Sequence, residues 1–154
     1  MINATLCLPV KKGKILLGMK KIGFGKNKLN AFGGKVEIGE SIKEAAKREL
    51  YEEVGLITEL SDLKKVAELK FTFSANPDWD QIVHVFKVES WKNDPKESDE
   101  MGFEWFNILD IPFDKMWDDD KYWLPLILSG KKIKANFSFA DNNETIKNKQ
   151  IIEV

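Results

Sequence analysis

Among 154 residues there is one cysteine, Cys7, and one histidine, His84. A lone cysteine excludes an internal disulfide and fits a reducing compartment, so a cytoplasmic location is expected, with a mitochondrial or nuclear pool if the cell is eukaryotic. A lone histidine argues against a serine–histidine–aspartate hydrolase and a histidine-rich zinc site; His84 is expected to be a satisfied strand residue. No apolar run is long enough to span a bilayer, and the start MINATLCLPV lacks a signal-peptide pattern, so no membrane partner is expected. Basic excess is missing too. The 24 Lys+Arg against 25 Asp+Glu leave a formal charge of −1, and no Lys/Arg-rich tract marks a nucleic-acid polymer as partner. Repeats, low-complexity segments and linkers are absent. The 43% apolar content suits one domain over residues 1–154, and with no extended partner helix in the pattern a monomer is expected.

What is present concentrates between Gly34 and Leu56, GKVEIGESIKEAAKRELYEEVGL. Gly34, Glu40, Arg48, Glu49, Glu52, Glu53 and Gly55, with aliphatics at Leu50 and Leu56, follow the spacing G-x5-E-x7-R-E-U-x-E-E-x-G-U. With average residue usage, a chance match is on the order of 10⁻⁹ to 10⁻¹⁰ per starting position. Ser41 followed by Glu44 reads as a capping box, and Gly55 as the residue just past a helix end. Ile42, Ala46, Leu50 and Val54 recur every four residues as one apolar stripe. On a helical wheel with Glu49 at zero, the stripe centres near roughly 80°, and Glu52 and Glu53 fall at about 300° and 40°. The three carboxylates therefore flank the buried stripe, whereas solvated decoration would lie opposite it, where Arg48 and Glu44 sit. Acidic groups at i, i+3 and i+4 repel one another unless a cation neutralises them. Oxygen-only ligands suit Mg²⁺, with Mn²⁺ as the alternative, completed by substrate phosphates and water. Gly33-Gly34 is expected to let the backbone approach metal or phosphate, and Arg48 to orient a glutamate through its bidentate fork.

Strand-like runs lie near 3–10, 14–20, 65–75, 82–91, 103–107, 132–140 and 146–153. A second helix is expected over 119–129, capped by Asp118, Asp119 and Asp120, distorted in its early turns by Pro125 and closed by Gly130. Strands before, between and after two helices predict an α/β fold, a mixed sheet sandwiched between helical layers.

The 23-residue pattern resembles the Nudix box. Four further segments extend the likeness nearly end to end: LLGMKKIGFGKNKLNAFGGKV (16–36), ESDEM (97–101), WF followed by IPF (105–113) and MWDDDKYWLPL (116–126). Together they resemble the oxidised purine nucleoside triphosphatases, the 8-oxo-dGTP diphosphatases of the animal MutT-homologue type. The resemblance implies a Nudix fold and metal-dependent hydrolysis of 8-oxo-dGTP and 2-hydroxy-dATP to monophosphate and pyrophosphate. It implies metal ligation by the Gly33 carbonyl, Glu49, Glu52, Glu53 and Glu100, and a phosphate contact from Lys20. Asn30, Asp119 and Asp120 would read the base edge, with Trp117 on the base face. Thr5, Phe24, Phe71, Phe73, Met101, Trp123 and Phe139 would line or back the pocket. Glu53 is the first candidate to activate water, with Glu52 and Glu100 as rivals.

The base-reading chemistry also follows from the residues. Two adjoining carboxyls in an aromatic pocket do not both ionise easily, so they offer one acceptor and one donor. Oxidised guanine has an N7–H and an 8-oxo oxygen where guanine has a bare acceptor, and a proton shared by the pair can relocate to match another edge. Three positions depart from the animal pattern. Leu29 stands in place of a tryptophan, and Asp118 in place of a proline, which adds a third carboxylate to the pair. The segment SANPDWDQ (74–81) is about one residue longer, placing Trp79 and Gln81 near a wall position usually held by methionine. Two rival functions remain: another Nudix pyrophosphohydrolase, for undamaged dNTPs or dinucleoside polyphosphates, and a non-catalytic nucleotide-binding module.

Overall fold

Strands β1 (Ile2–Lys11) and β2 (Lys14–Lys20) form a hairpin around Lys12-Gly13, both at positive φ (52° and 74°), the backbone a two-residue hairpin turn demands. The computed structural model describes residues 1–23 and 25–154. After β2 come β3 (Leu29–Asn30), α1 (Ile42–Val54), β4 (Leu63–Phe73), β5 (Gln81–Val88), β6 (Met101–Asn107), α2 (Asp120–Leu128), β7 (Ile133–Phe139) and β8 (Ile146–Glu153). Every expected strand and both expected helices are present; β3 and three short 3-10 turns are additions. The sheet runs β3-β2-β1-β5-β4-β7-β8, with β6 also paired to β2. The β1–β5 and β4–β7 pairs are parallel and the others antiparallel, so the sheet is mixed as expected.

Alternation along the strands splits the interior in two. Leu8 and Val85 belong to a cluster with Trp123, Leu124 and Ile127 of α2, while their neighbours Cys7 and Phe86 join Ala46, Leu50 and Val54 of α1. Successive strand residues face opposite sides, so the helices cover opposite faces of the sheet. One irregularity changes which residues reach the α2 face. The β4–β5 register shifts between Lys65 and Ala67, and the extra residue turns the strand over. Leu63 therefore packs in the α1 cluster, while Ala67, Leu69, Phe71 and Phe73 face α2.

Helix α1 forms as its local signals predict. Ser41 accepts from the Glu44 N–H, Glu44 accepts from the Ser41 N–H, and Gly55 closes the helix at φ 77°. Leu50 has no exposed surface, and Leu50→Ala is expected to lower unfolding free energy by about 2–5 kcal/mol in a urea titration.

Helix α2 corrects one expectation. Asp119 occupies the cap position but makes no side-chain cap bond. Asp118 instead accepts from the Ile146 N–H of β8 at 2.8 Å and pairs with Lys121 at 2.9 Å. The helix entrance is closed by backbone bonds from Asp120 N to Trp117 O and Tyr122 N to Asp119 O. These three-residue closures are the tight 3-10 turn common at helix ends, and α2 runs continuously through Pro125. Gly130, at φ 97°, ends the helix as expected. No helix among the described residues is long and apolar enough to cross a membrane.

Candidate functional site

The segment before α1 is laid along β1. Thr5 N–H donates to Gly34 O at 2.9 Å, Cys7 N–H to Phe32 O at 2.6 Å, and Val36 N–H to Asn3 O at 2.9 Å. This contact explains the two glycines differently from the expectation of an approach to metal or phosphate. A Cβ on Gly33 would stand 1.7 Å from the Thr5 carbonyl oxygen, and one on Gly34 would stand 2.6 Å from the Glu49 carboxyl carbon. Their bareness is required by β1 and by Glu49.

Gly33 N–H donates to Glu53 Oε1 at 2.6 Å. Burial pushes the Glu53 carboxyl up to about 8; the Gly33 bond and Lys20 pull the other way, and the charges of Glu49 and Glu100 add to the rise. Arg48 grips Glu40 with both arms of its fork, Nε to Oε2 at 3.0 Å and Nη2 to Oε1 at 2.7 Å. Its Nη1 reaches Glu49 at 2.8 Å and Glu52 at 3.3 Å. Arg48 is thus the orienting partner the spacing suggested. Glu100 is exposed in the loop before β6, its backbone carbonyl accepting from Lys21 N–H at 2.8 Å.

Among the described residues no three acidic, histidine or cysteine side chains form a ready-made metal cage; Glu49 and Glu52 are engaged by Arg48. The donor set is nevertheless consistent with a hard cation. It consists of oxygens only, and Glu53 is a buried acid, raised first by burial and further by the charges of Glu49 and Glu100, which a cation would offset. A divalent ion that keeps water and takes phosphate oxygens needs no closed protein cage.

Beside this acidic edge lies a cavity of about 360 Å³. Phe71, Phe73 and Phe139 form its aromatic floor, which the β4 bulge makes possible; Phe73 and Phe139 stack at 4.8 Å and 1°. Trp117, Asn30, Asp119, Asp120, Thr5, Lys20, Met101, Gly33 and Glu53 also line it, so most of the expected pocket residues meet. Glu49, Glu52 and Glu100 are outside this wall. Trp123 backs the pocket and does not line it: fully buried behind the wall, it donates from Nε1 to Asp119 Oδ2 at 2.8 Å. Phe24 lies outside the described residues.

Asp119 and Asp120 are only 5% and 3% exposed. Burial pushes Asp119 up to about 6 against the pull of the Trp123 hydrogen bond. Asp120 is driven well above the carboxylate range, by burial first and then by the charge of Asp119. Burial and mutual repulsion thus oppose double ionisation, so the pair tends to share a proton. Asp120 Oδ2 is buried with no hydrogen-bond partner among the described residues, a group waiting for a ligand or a proton. Asp118, the added third carboxylate, raises Asp119 less than burial does, and it is turned toward Ile146 and Lys121.

Sequence reasoning missed Lys28 and Lys35, which join Lys20 on the cavity wall. Lys28 Nζ sits 4.9 Å from the Trp117 ring centroid. No local pattern marks these lysines, since they come from separate segments in a chain rich in lysine. His84 lies on a strand as expected, with Nε2 3.1 Å from Asn3 Oδ1, but it is not fully satisfied: buried Nδ1 has no hydrogen-bond partner among the described residues and lies 3.5 Å from Glu68 Oε1. Leu29, which stands in place of a tryptophan, is buried and bridges to Met116.

A family model described as the NUDIX domain matches residues 2–127. An oxidized purine nucleoside triphosphate hydrolase of Danio rerio is 45% identical over 145 residues, spanning 94% of this chain and 91% of the relative. The Mus musculus protein of the same name is 45% identical over 139 residues, spanning 90% and 87%. The crystal structure of a MutT protein from Bacillus halodurans shares the fold, with a TM-score of 0.80 over 98% of this chain and 97% of that one at 20% identity. The glutamate-bearing helix, the glycine pair seated on β1 and the sheet between two helical layers are thus the parts of a NUDIX domain, and this chain belongs to that family.

Proposed function

We propose that this chain hydrolyses oxidised purine nucleoside triphosphates, 8-oxo-dGTP and 2-hydroxy-dATP, to the monophosphate and pyrophosphate, with Mg²⁺ as the ion. It does so as one domain over residues 1–154 and as a monomer in the cytoplasm. The names of the Danio rerio and Mus musculus relatives support the substrate class. The observation that carries it in this chain is the buried Asp119–Asp120 pair at an aromatic cavity, where burial and like charge keep both carboxyls from ionising easily together. Such a pair accepts from the N7–H of an oxidised guanine and donates to a neighbouring base oxygen, and it can exchange those roles for 2-hydroxyadenine. Trp117 supplies a ring for the base face, and Asn30, whose Oδ1 is engaged by Ala31 N–H at 2.9 Å, presents its amide hydrogens.

The triphosphate extends toward Lys20 and the acidic edge. The Gly33 carbonyl, Glu49, Glu52, Glu53 and Glu100 would hold the ion. When bound, Mg²⁺ supplies charge neutralisation for the phosphates. Glu53 is the residue to orient water and take its proton: Gly33 N–H fixes one carboxylate oxygen and leaves the other for the water. Glu52, exposed and tied to Arg48, is less suited. Steady-state hydrolysis of 8-oxo-dGTP and dGTP, with Mg²⁺ and with EDTA, tests the proposal. The expected outcome is a strong preference for 8-oxo-dGTP that EDTA abolishes. Equal use of both substrates would overturn the oxidised-purine reading, and turnover surviving EDTA would overturn the metal.

A further inference from the structure

Gln81 opens β5 opposite Phe71 of β4, on the sheet face that carries the cavity. The other wall residues from β4, β5 and β7 are apolar: Phe71, Phe73, Val83 and Phe139. Gln81 is therefore the polar exception on that part of the wall. Its amide orientation is fixed by chemistry. Nε2 lies 3.2 Å from the Trp79 carbonyl oxygen, which only accepts, so the nitrogen must face Trp79. Trp79 in turn docks its ring edge-on against Phe73 with centroids 5.7 Å apart, and Phe73 stacks on Phe139. The anchor for the amide is thus part of the aromatic wall. Gln81 Oε1 accepts no hydrogen bond from a described residue.

We infer that Gln81 is a specificity-determining residue whose Oε1 accepts a hydrogen bond from an exocyclic amino group of the purine. Gln81 then joins Asn30 and the aspartate pair as a polar reader of the base, from a separate element, the start of β5. The inference rests on the reading that an oxidised purine occupies the cavity. It narrows the substrate class to oxidised purines bearing an amino group, with oxidised hypoxanthine disfavoured. An apolar wall gains little from an added amine, whereas a site with a waiting acceptor discriminates against the analogue that lacks the donor.

The test compares kcat/KM for 8-oxo-dGTP and 8-oxo-dITP, which differ only in the 2-amino group, in the wild type and in Gln81→Met, a variant of similar length without the acceptor. The wild type is expected to favour 8-oxo-dGTP, and the variant to lower that ratio by about five- to tenfold, the worth of one neutral hydrogen bond. Equal losses on both substrates, or none on either, would overturn the role of Gln81. Absence of turnover of either substrate by the wild type would overturn the functional reading as well. A second measurement needs no variant. The side-chain amide signal of Gln81 in ¹⁵N spectra of the wild type is expected to shift more with 8-oxo-dGMP than with 8-oxo-dIMP, and equal shifts would overturn the inference.

Discussion

Glu53→Gln is expected to lower kcat on 8-oxo-dGTP by about 10²- to 10⁴-fold while the protein stays folded. Glutamine keeps the size of the side chain and an oxygen to accept from Gly33 N–H, so the 2.6 Å bond that seats the residue has a replacement. What it removes is the basic oxygen. The stability side can be predicted independently in metal-free protein. Burial raises the folded pKa of Glu53 to about 8, above the unfolded value near 4.5. A group shifted upward contributes stability that is complete below the unfolded pKa and fades as pH climbs through the folded one. The metal-free wild type should therefore lose stability between about pH 4.5 and pH 8 that Glu53→Gln does not lose. Melting temperatures in EDTA at those two pH values check this. A variant that melts normally and turns over near the wild-type rate would remove Glu53 from the role and pass it to Glu52 or Glu100.

The parts of this protein that were legible in sequence are those written locally. Helix α1 carries its cap at Ser41, its stop at Gly55 and its buried stripe within 15 residues, and all three appear as spaced. The lengths of β1, β2 and β5 follow from apolar runs. The β4 bulge was not legible, because Leu63 and Ala67 stand an even number of residues apart and should share a face. Pairing with β5 puts them on opposite faces, and only that pairing places Phe71 and Phe73 under the cavity. The aspartates at 118–120 show the same limit. Three acids before a helix satisfy every local rule for caps. Partners remote in sequence or across the helix turn claim two of them instead, Ile146 of β8 for Asp118 and the Trp123 indole for Asp119. At Gly33 the residue type was noticed but its reason was not, since the Thr5 carbonyl that forbids a side chain lies 28 residues away in the chain.

Asp119→Asn and Asp120→Asn are each expected to cut the preference for 8-oxo-dGTP over dGTP by about ten- to a hundredfold. An asparagine presents a fixed donor and a fixed acceptor, so the pair loses the mobile proton that lets it match an oxidised edge. At position 119 the amide oxygen can still accept from Trp123 Nε1, which forces the amide nitrogen to the other side and removes the acceptor offered to the base N7–H. The structural support for Trp123 survives, so the loss falls on recognition. The pair's titration gives a second signature. Both carboxyls titrate near 4 when unfolded, whereas the folded pKa of Asp119 rises to about 6 and that of Asp120 is raised well above its ordinary value. Their contribution to stability is complete below pH 4 and is lost as pH rises through the folded values, so the wild type should weaken from pH 4 toward neutrality relative to the double asparagine variant. Urea midpoints of the two proteins at pH 4.5, 6 and 7.5, pH values bracketing about two units around the folded value, measure that difference. Recognition should move in the opposite sense. Below about pH 6 Asp119 gains a proton and the acceptor disappears, so the ratio of 8-oxo-dGTP to dGTP turnover, in which the titration of Glu53 cancels, should fall on acidification. A ratio flat from pH 5 to pH 8, or unchanged by either substitution, would mean that the aspartates do not read the base.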